Sequence, residues 1–165
     1  MKRHIILLIA FVLMSAQLFA QTPVYLTKAY KPVESDRYTA YSSLEIQGGD
    51  TWNNCFTLGV INNYHGYATF NIGGKYESIS FILGAEKSNG GNDPNIVQIH
   101  ADGKRIFDYV LRDGDLGQQF TLNISGVDKL EFSLVKPEVE AAFCEVALWT
   151  KGQTPHDLRG KNDPQ

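Results

Sequence analysis

The stretch "GGDTWNNCF", residues 48–56, sets a tryptophan among amides at the border between a loop and a strand-like run. Trp52, Asn53 and Asn54 carry the chemistry needed to hold a sugar. A flat aromatic face matches the apolar C–H face of a pyranose, and carboxamides offer both donors and acceptors to its hydroxyls. A second polar-aromatic loop, "INNYHGY" at 61–67, adds Asn63, Tyr64 and His65, and Trp149 in "ALWT" supplies another ring. The competing role for each tryptophan is packing: Trp52 capping the end of a core, and Trp149 alternating with Ala147 along a strand.

Metal and catalytic chemistry leave weaker marks. "KSNGGNDPN", residues 87–95, offers Ser88, Asn89, Asn92, Asp93 and Asn95 as oxygen donors, and calcium takes six to eight oxygens. The stretch has one carboxylate and no EF-hand spacing, while its Gly-Gly and Asp-Pro pairs are turn formers. It therefore reads as a connecting loop, with no metal or cofactor assigned and calcium as the one candidate ion. There is no G-x-S-x-G, H-E-x-x-H or C-x-x-C. Asp113 and Asp115 in "RDGD" flank a Gly as turn residues do, and His65 and His100 stand without a second ligand at a ligand spacing. The expectation is a protein that is not an enzyme.

The elements that must position these residues are strands. "RYTAYSSLEI", "CFTLGV", "YATFNI", "SISFILGA", "IVQIHA", "RIFDYVL", "QFTLNI", "KLEFSLV" and "CEVALWT" are short, rich in β-branched and aromatic residues, and separated by Gly, Asn or Asp. Ile79, Phe81 and Leu83 share a face, as do Phe120, Leu122 and Ile124, and Leu130, Phe132 and Leu134. That period of two marks sheets with one buried face. "ADGK" at 101–104 is a two-residue hairpin signal. About nine antiparallel strands without a helical stripe predict an all-β sandwich. The polar tail 151–165 reads as fraying.

The chain opens with Lys2 and Arg3, then ten apolar residues from Ile5 to Met14, then "SAQLFA". This layout predicts a signal peptide over residues 1–20 and a secreted or periplasmic protein. Ten apolar residues fall well short of the roughly 20 that span a bilayer, so no membrane span is expected. Without Lys2 and Arg3, 13 basic residues face 18 acidic ones, a formal charge of −5. A nucleic-acid partner would want a basic footprint, and none is present. An oxidising compartment permits a bridge between Cys55 and Cys144. Strand phase argues against it: Cys55 lies opposite the Phe56/Leu58 face, while Cys144 reads in phase with Val146 and Leu148. The alternative is two separate thiols, one of them in the core.

The ordered set "FTLGV", "YATFNIGGKYESISFILGAE", "VQIHADGKRIFDYVL", "FTLNISGVDKLEFSLV" and "EVALWT" resembles the NPCBM family of carbohydrate-binding-module-like domains. "NIGGKYESISFILG", "DGKRIFD" and "ISGVDKLEFSL" are the most specific pieces, and the resemblance runs from about Leu44 to Thr150. It implies a galactose-binding-like jelly roll with a non-catalytic role, holding glycans through loops at one end of the sandwich. The family's Gly-x-Gly-x-His stretch is altered here to "TLGVINNYHGYATF", with His65 displaced. Only Trp52, His65 and Trp149 lie near positions where the family pattern has similar residues.

These readings divide the chain into a signal peptide at 1–20, an N-terminal strand segment at 21–43, an NPCBM-like sandwich at 44–150 and a polar tail at 151–165. The expected ligand is a glycan or polysaccharide contacted by Trp52, Asn53, Asn54, Asn63, Tyr64, His65 and Trp149. A protein-interaction module on the same fold is the alternative, and it would bury the tryptophans and expose an apolar patch instead.

Overall fold

The computed structural model describes residues 22–61, 64–86, 93–136 and 139–158. The predicted signal peptide, Asn63 and residues 87–92 of the polar loop lie outside them, and Tyr64 is described through its backbone only. In chain order the elements are β1 (Val24–Tyr25), a one-turn α1 (Leu26–Ala29), β2 (Glu34–Asp36), β3 (Tyr38–Glu45), β4 (Thr51–Leu58), β5 (Val60–Ile61), β6 (Tyr64–His65) and β7 (Tyr67–Asn71). They continue with β8 (Ser78–Ala85), β9 (Asn95–Ala101), β10 (Lys104–Leu111), β11 (Gln118–Asn123), β12 (Lys129–Leu134) and β13 (Ala141–Trp149). Each of the nine expected strands is present. β4 begins at Thr51, four residues before the expected start at Cys55, so Trp52 sits on the strand.

Two sheets face each other. One runs β11-β8-β13-β4-β3, with β1 added against β13; the other runs β10-β9-β12-β7-β2, and the β5–β6 hairpin stands apart. All pairings are antiparallel. The alternation seen in the sequence is the reason. Ile79, Phe81 and Leu83 from β8 meet Leu130, Phe132 and Leu134 from β12 in one core. At its centre Phe56 stacks on Phe143, with ring centres 4.9 Å apart, and meets Phe132 edge-on at 5.2 Å. The "ADGK" hairpin forms as expected. Asp102 and Gly103 both take left-handed φ, 48° and 79°, as a two-residue turn between twisted strands requires.

A second apolar cluster covers the outer face of the first sheet. It holds Ile46, Trp52, Cys55, Ile82, Ala142, Cys144, Ala147, Trp149 and Leu158. Two features build it. The chain after β3 crosses over that face, because Ile46 bridges Glu86 and the Gln47 amide donates to the Ala85 carbonyl. Gly84 and Gly117 allow the crossing, since a Cβ on either would lie 2.8 or 2.7 Å from Ile46 Cδ1. The tail then returns across the same face. Leu158 is buried, the His156 ring meets Trp149 edge-on, and Gln119 bonds both the His156 carbonyl and the Leu158 amide. The tail as far as Leu158 is therefore packed rather than frayed.

Cys55 and Cys144 form a disulfide. The phase argument against it fails at a single residue. β13 pairs with β4 from Ala141↔Leu58 to Phe143↔Phe56, which brings the two cysteines opposite each other at the next position. Beyond them Asn54 and Glu145 take left-handed φ, 52° and 48°, and the register of β13 shifts between Cys144 and Ala147. Such a bulge inserts one residue and reverses which side chains face in. Val146 and Leu148 therefore join the inner core with Phe143, while Cys144 faces out with Ala142, Ala147 and Trp149.

Candidate functional site

The bulge opens a fork between β4 and β13, and β1 enters it, pairing Tyr25 with Ala147. Glu145 fills the fork. Its carboxylate accepts the Asn53 amide N–H and the Asn54 Nδ2–H, each at 3.2 Å. The Tyr25 phenol is also bonded to it; burial first, then the Glu145 charge and this hydrogen bond, push the phenol pKa up. A carboxylate has only acceptors, so three donors converging on it form a closed polar knot. Asn54 is buried and Asn53 exposed.

The expected ligand residues therefore separate. Trp52 and Trp149 are 4% and 1% exposed, lying within the outer apolar cluster. Trp149 Nε1 donates to Ser80 Oγ at 3.2 Å, whereas the buried Trp52 Nε1 has no acceptor among the described residues. A stacking platform needs an open ring face, and neither ring offers one here. Asn54 is engaged with Glu145. His65 lies at the other end of β4, exposed on the β5–β6 hairpin, where Val60 pairs with His65. Gly66 holds that hairpin down: a Cβ there would stand 2.7 Å from the Gly59 carbonyl oxygen.

Beside that hairpin is a cleft of about 220 Å³ lined by Arg37, Thr39, Tyr41, Thr57, Gly59, Glu86 and Glu140. Drug-sized ligands occupy roughly 300–1,000 Å³, so this space matches a single small polar ring rather than a buried chain. Arg37 enters it from the link between β2 and β3, where its left-handed φ of 52° turns the chain from one sheet to the other. Its carbonyl accepts the Gly59 amide at 2.9 Å. Gly59 keeps the wall open, since a Cβ there would sit 3.2 Å from Glu140 Oε1. The Glu86 amide donates to the Glu140 carbonyl at 3.1 Å, which brings the two side chains to one wall. Burial, then a hydrogen bond to Glu140 and the Glu140 charge, raise the Glu86 pKa to about 7.

Sequence reasoning missed these residues because they come from positions 37, 41, 86 and 140, with no local spacing to connect them. The available signal was a glutamate abutting an apolar run, in "FILGAE" and in "EAAF". Other candidates resolve as structural. Asn95 of the polar loop is fully buried, donating to the Val139 carbonyl and accepting the Ile96 and Lys136 amides, so its side chain is not available to a metal. Asp115 accepts the Arg112 amide in the "RDGD" turn. His100 is not alone, since strand pairing sets Glu131 opposite it, 3.6 Å from Nδ1. Among the described residues no group of three or more His, Cys, Asp or Glu is placed to hold a metal, and no helix is long and apolar enough to cross a membrane.

The model of the NPCBM/NEW2 domain matches residues 15–153. The chain belongs to that family. Its fold is shared with the CBM51 module from Clostridium perfringens GH95, solved in complex with methyl-galactose. That match has 12% identity and a TM-score of 0.61, and covers 77% of this chain and 99% of that one. The tandem CBM51 modules of a family 98 glycoside hydrolase from Streptococcus pneumoniae align at 12% identity and TM-score 0.62, over 82% of this chain and 49% of theirs. The cleaved adhesin domain of Lys-gingipain from Porphyromonas gingivalis aligns at 11% identity and TM-score 0.54, over 76% and 96%. At such identities the likeness establishes the fold: an antiparallel, galactose-binding-like β-sandwich. No curated protein matches the sequence.

Proposed function

We propose that this protein is an exported, non-catalytic carbohydrate-binding module that holds one sugar ring of a glycan in the cleft between β3, Gly59 and the Glu86–Glu140 wall. The observation that carries the reading is the lining itself. A guanidinium, a carboxyl pair, a tyrosine and two threonines converge on a space of about 220 Å³. Arginine forks and carboxyls bind paired hydroxyls in two-point fashion, and Tyr41 adds an aromatic wall. Family membership and the sugar-bound module among the fold's relatives support it. Of the residues picked out in the sequence, Tyr64 and His65 belong to the β5–β6 hairpin that follows Gly59 of this cleft, and Asn63 lies outside the described residues. Trp52, Asn54 and Trp149 act through the scaffold behind it, and Asn53 lies exposed at the far end of β4. Export to the periplasm or cell exterior rests on the N-terminal leader pattern, and the acidic charge balance speaks against a nucleic-acid ligand.

A protein-interaction module is the second reading, and one observation favours it. Both tryptophans are buried, and Tyr67, Val110 and Val135 stand exposed at 37, 42 and 41%. Tyr67 and Val110 lie on strands of the second sheet, with Val135 directly after β12. A glycan array probed with the full mature chain separates the two. The expected result is a defined hit that Arg37→Ala abolishes and Asn53→Ala, at the far end of β4, leaves intact. A well-folded protein with no hit transfers the assignment to a protein partner.

A further inference from the structure

Arg37 stands at the corner where the chain leaves the second sheet for the first, and the residue facing it on either side is a glycine. Carried on by one residue, the β2–β7 register runs from Asp36↔Tyr67 to Arg37 and Gly66. Carried back by one, the β3–β4 register runs from Tyr38↔Leu58 to Arg37 and Gly59. The two glycines also meet each other. A Cβ on Gly66 would lie 2.7 Å from the Gly59 carbonyl oxygen, 3.0 Å from the Gly59 nitrogen and 3.1 Å from the Leu58 carbonyl carbon. All three are backbone atoms, which cannot swing aside as the end of a side chain can. Hydrogen bonds fix both glycines. The Gly59 amide donates to the Arg37 carbonyl at 2.9 Å, and the Leu134 amide of β12 donates to the Gly66 carbonyl at 3.0 Å. Gly59 and Arg37 line the cleft, whereas Gly66 is buried outside its lining. The left-handed φ of 52° at Arg37 is one that glycine adopts freely and arginine does not. Glycine thus occupies the two facing positions but not the strained one, which argues that the Arg37 side chain is needed where it is.

We propose that Gly66 is a positioning residue for the cleft: by letting the chain before β7 rest directly on Gly59, it sets the Arg37 corner and with it the aim of the guanidinium. The inference rests on reading the cleft as the glycan site, and adds a control from outside the lining. Gly66 lies outside the left-handed region, so alanine meets no backbone strain there and acts only through the contact with Gly59. A methyl at that point drives Gly59 away from Gly66. Gly59 is bonded to the Arg37 carbonyl, so the displacement reaches the corner and moves the guanidinium relative to Thr39 and Tyr41 on the β3 wall. An arginine fork draws its strength from two-point geometry, which a small shift spoils.

The test is Gly66→Ala in the full mature chain, titrated calorimetrically with the sugar that the unaltered protein selects on a glycan array. The expected result is affinity weaker by roughly tenfold or more, the worth of one charge-assisted hydrogen bond. The Gly59 amide, read by hydrogen exchange, should lose protection in the same variant. Ile124→Ala is the control for stability alone. Ile124 is a core residue bonded to the Glu77 carbonyl, at the opposite end of β8 from Glu86, and its loss should leave affinity and Gly59 exchange unchanged. Unchanged affinity in Gly66→Ala, or equal losses in Gly66→Ala and Ile124→Ala, overturns the positioning role and leaves the glycan site standing. If Gly66→Ala does not fold, the coupling is read in the unaltered protein, because it acts in both directions. Saturation with the hit sugar should then slow exchange at the Leu134 amide, on a strand that contributes nothing to the lining. Exchange at Leu134 that ignores the sugar overturns the role. Absence of any hit by the unaltered protein removes the glycan site and the positioning role together.

Discussion

Glu145 gives the sharpest test of how this sandwich is built. It sits at a left-handed φ of 48° in an otherwise extended strand, 8% exposed, with its carboxylate accepting from Asn53, Asn54 and Tyr25. In Glu145→Ala, the buried Asn54 amide loses its acceptor at the full cost of an unmet donor, about 1–3 kcal/mol. Asn53 and Tyr25 are only part-buried, so water replaces part of what they lose and each falls at the low end of that range. The sum is about 3 kcal/mol, or roughly 10 °C in Tm for a chain of this size. Glu145→Gln keeps one acceptor but turns an NH2 toward other donors, and should lose about 2 kcal/mol. Glu145→Gly separates hydrogen bonding from backbone strain. At an ordinary strand position Gly is roughly 0.5–1 kcal/mol worse than Ala. Here relief of the left-handed strain, worth about 1–2 kcal/mol, should make it equal or better. Urea denaturation of the oxidised protein measures all three. A loss below about 1 kcal/mol for Glu145→Ala, or Gly falling below Ala by the usual margin, would refute the knot as the reason for the fork.

The other predictions use the same kind of measurement. Because the Glu86 pKa is raised from its ordinary value to about 7, the folded state holds more protons than the unfolded chain between about pH 4.5 and 7. Stability from this group is therefore greatest below that window and is lost as pH rises through 7. Discounted by half for solvent around a part-exposed side chain, the loss is about 1.5 kcal/mol. Glu86→Gln should flatten the difference between pH 5 and pH 8 by that amount, and an unchanged difference counts against the raised Glu86 pKa. Removing the Cys55–Cys144 bridge, which spans 89 residues, should lower stability by about 4–5 kcal/mol in the chain-entropy treatment, read as the urea midpoint of a Cys55→Ala/Cys144→Ala variant. Leu158→Ala should destabilise by about 2 kcal/mol and shift tryptophan emission to the red, because Leu158 packs in the cluster that holds Trp52 and Trp149. Unchanged emission would mean that the tail does not cover those rings.

The strands were legible in the sequence because their periodicity is local. Ile79/Phe81/Leu83 and Leu130/Phe132/Leu134 alternate within six residues or fewer, and burying one face of each leaves little choice but two facing sheets. The Asp102-Gly103 turn was legible because left-handed φ favours those residue types at that spot. The family resemblance, carried by strand-sized pieces in order, named the fold for the same reason.

Tertiary structure decided everything that depended on phase or on distant partners. The left-handed turn at Glu145 is stabilised by donors from Asn53, Asn54 and Tyr25, 91 to 120 positions away, so no local pattern announces it. Yet that one inserted residue moves Cys144 to the outer face, where it meets Cys55, and carries Trp149 there with it. The two tryptophans that looked like sugar platforms are buried because the chain after β3 and the tail both cross the sheet that bears them. The cleft is assembled the same way, from one arginine, one tyrosine and two glutamates that come together only when Arg37 turns the chain between sheets and the Glu86 amide bonds the Glu140 carbonyl. Sequence carries the short-range rules of strand and turn. Which side chains share a face after a bulge, and which line one cleft, are set by packing between segments far apart in the chain.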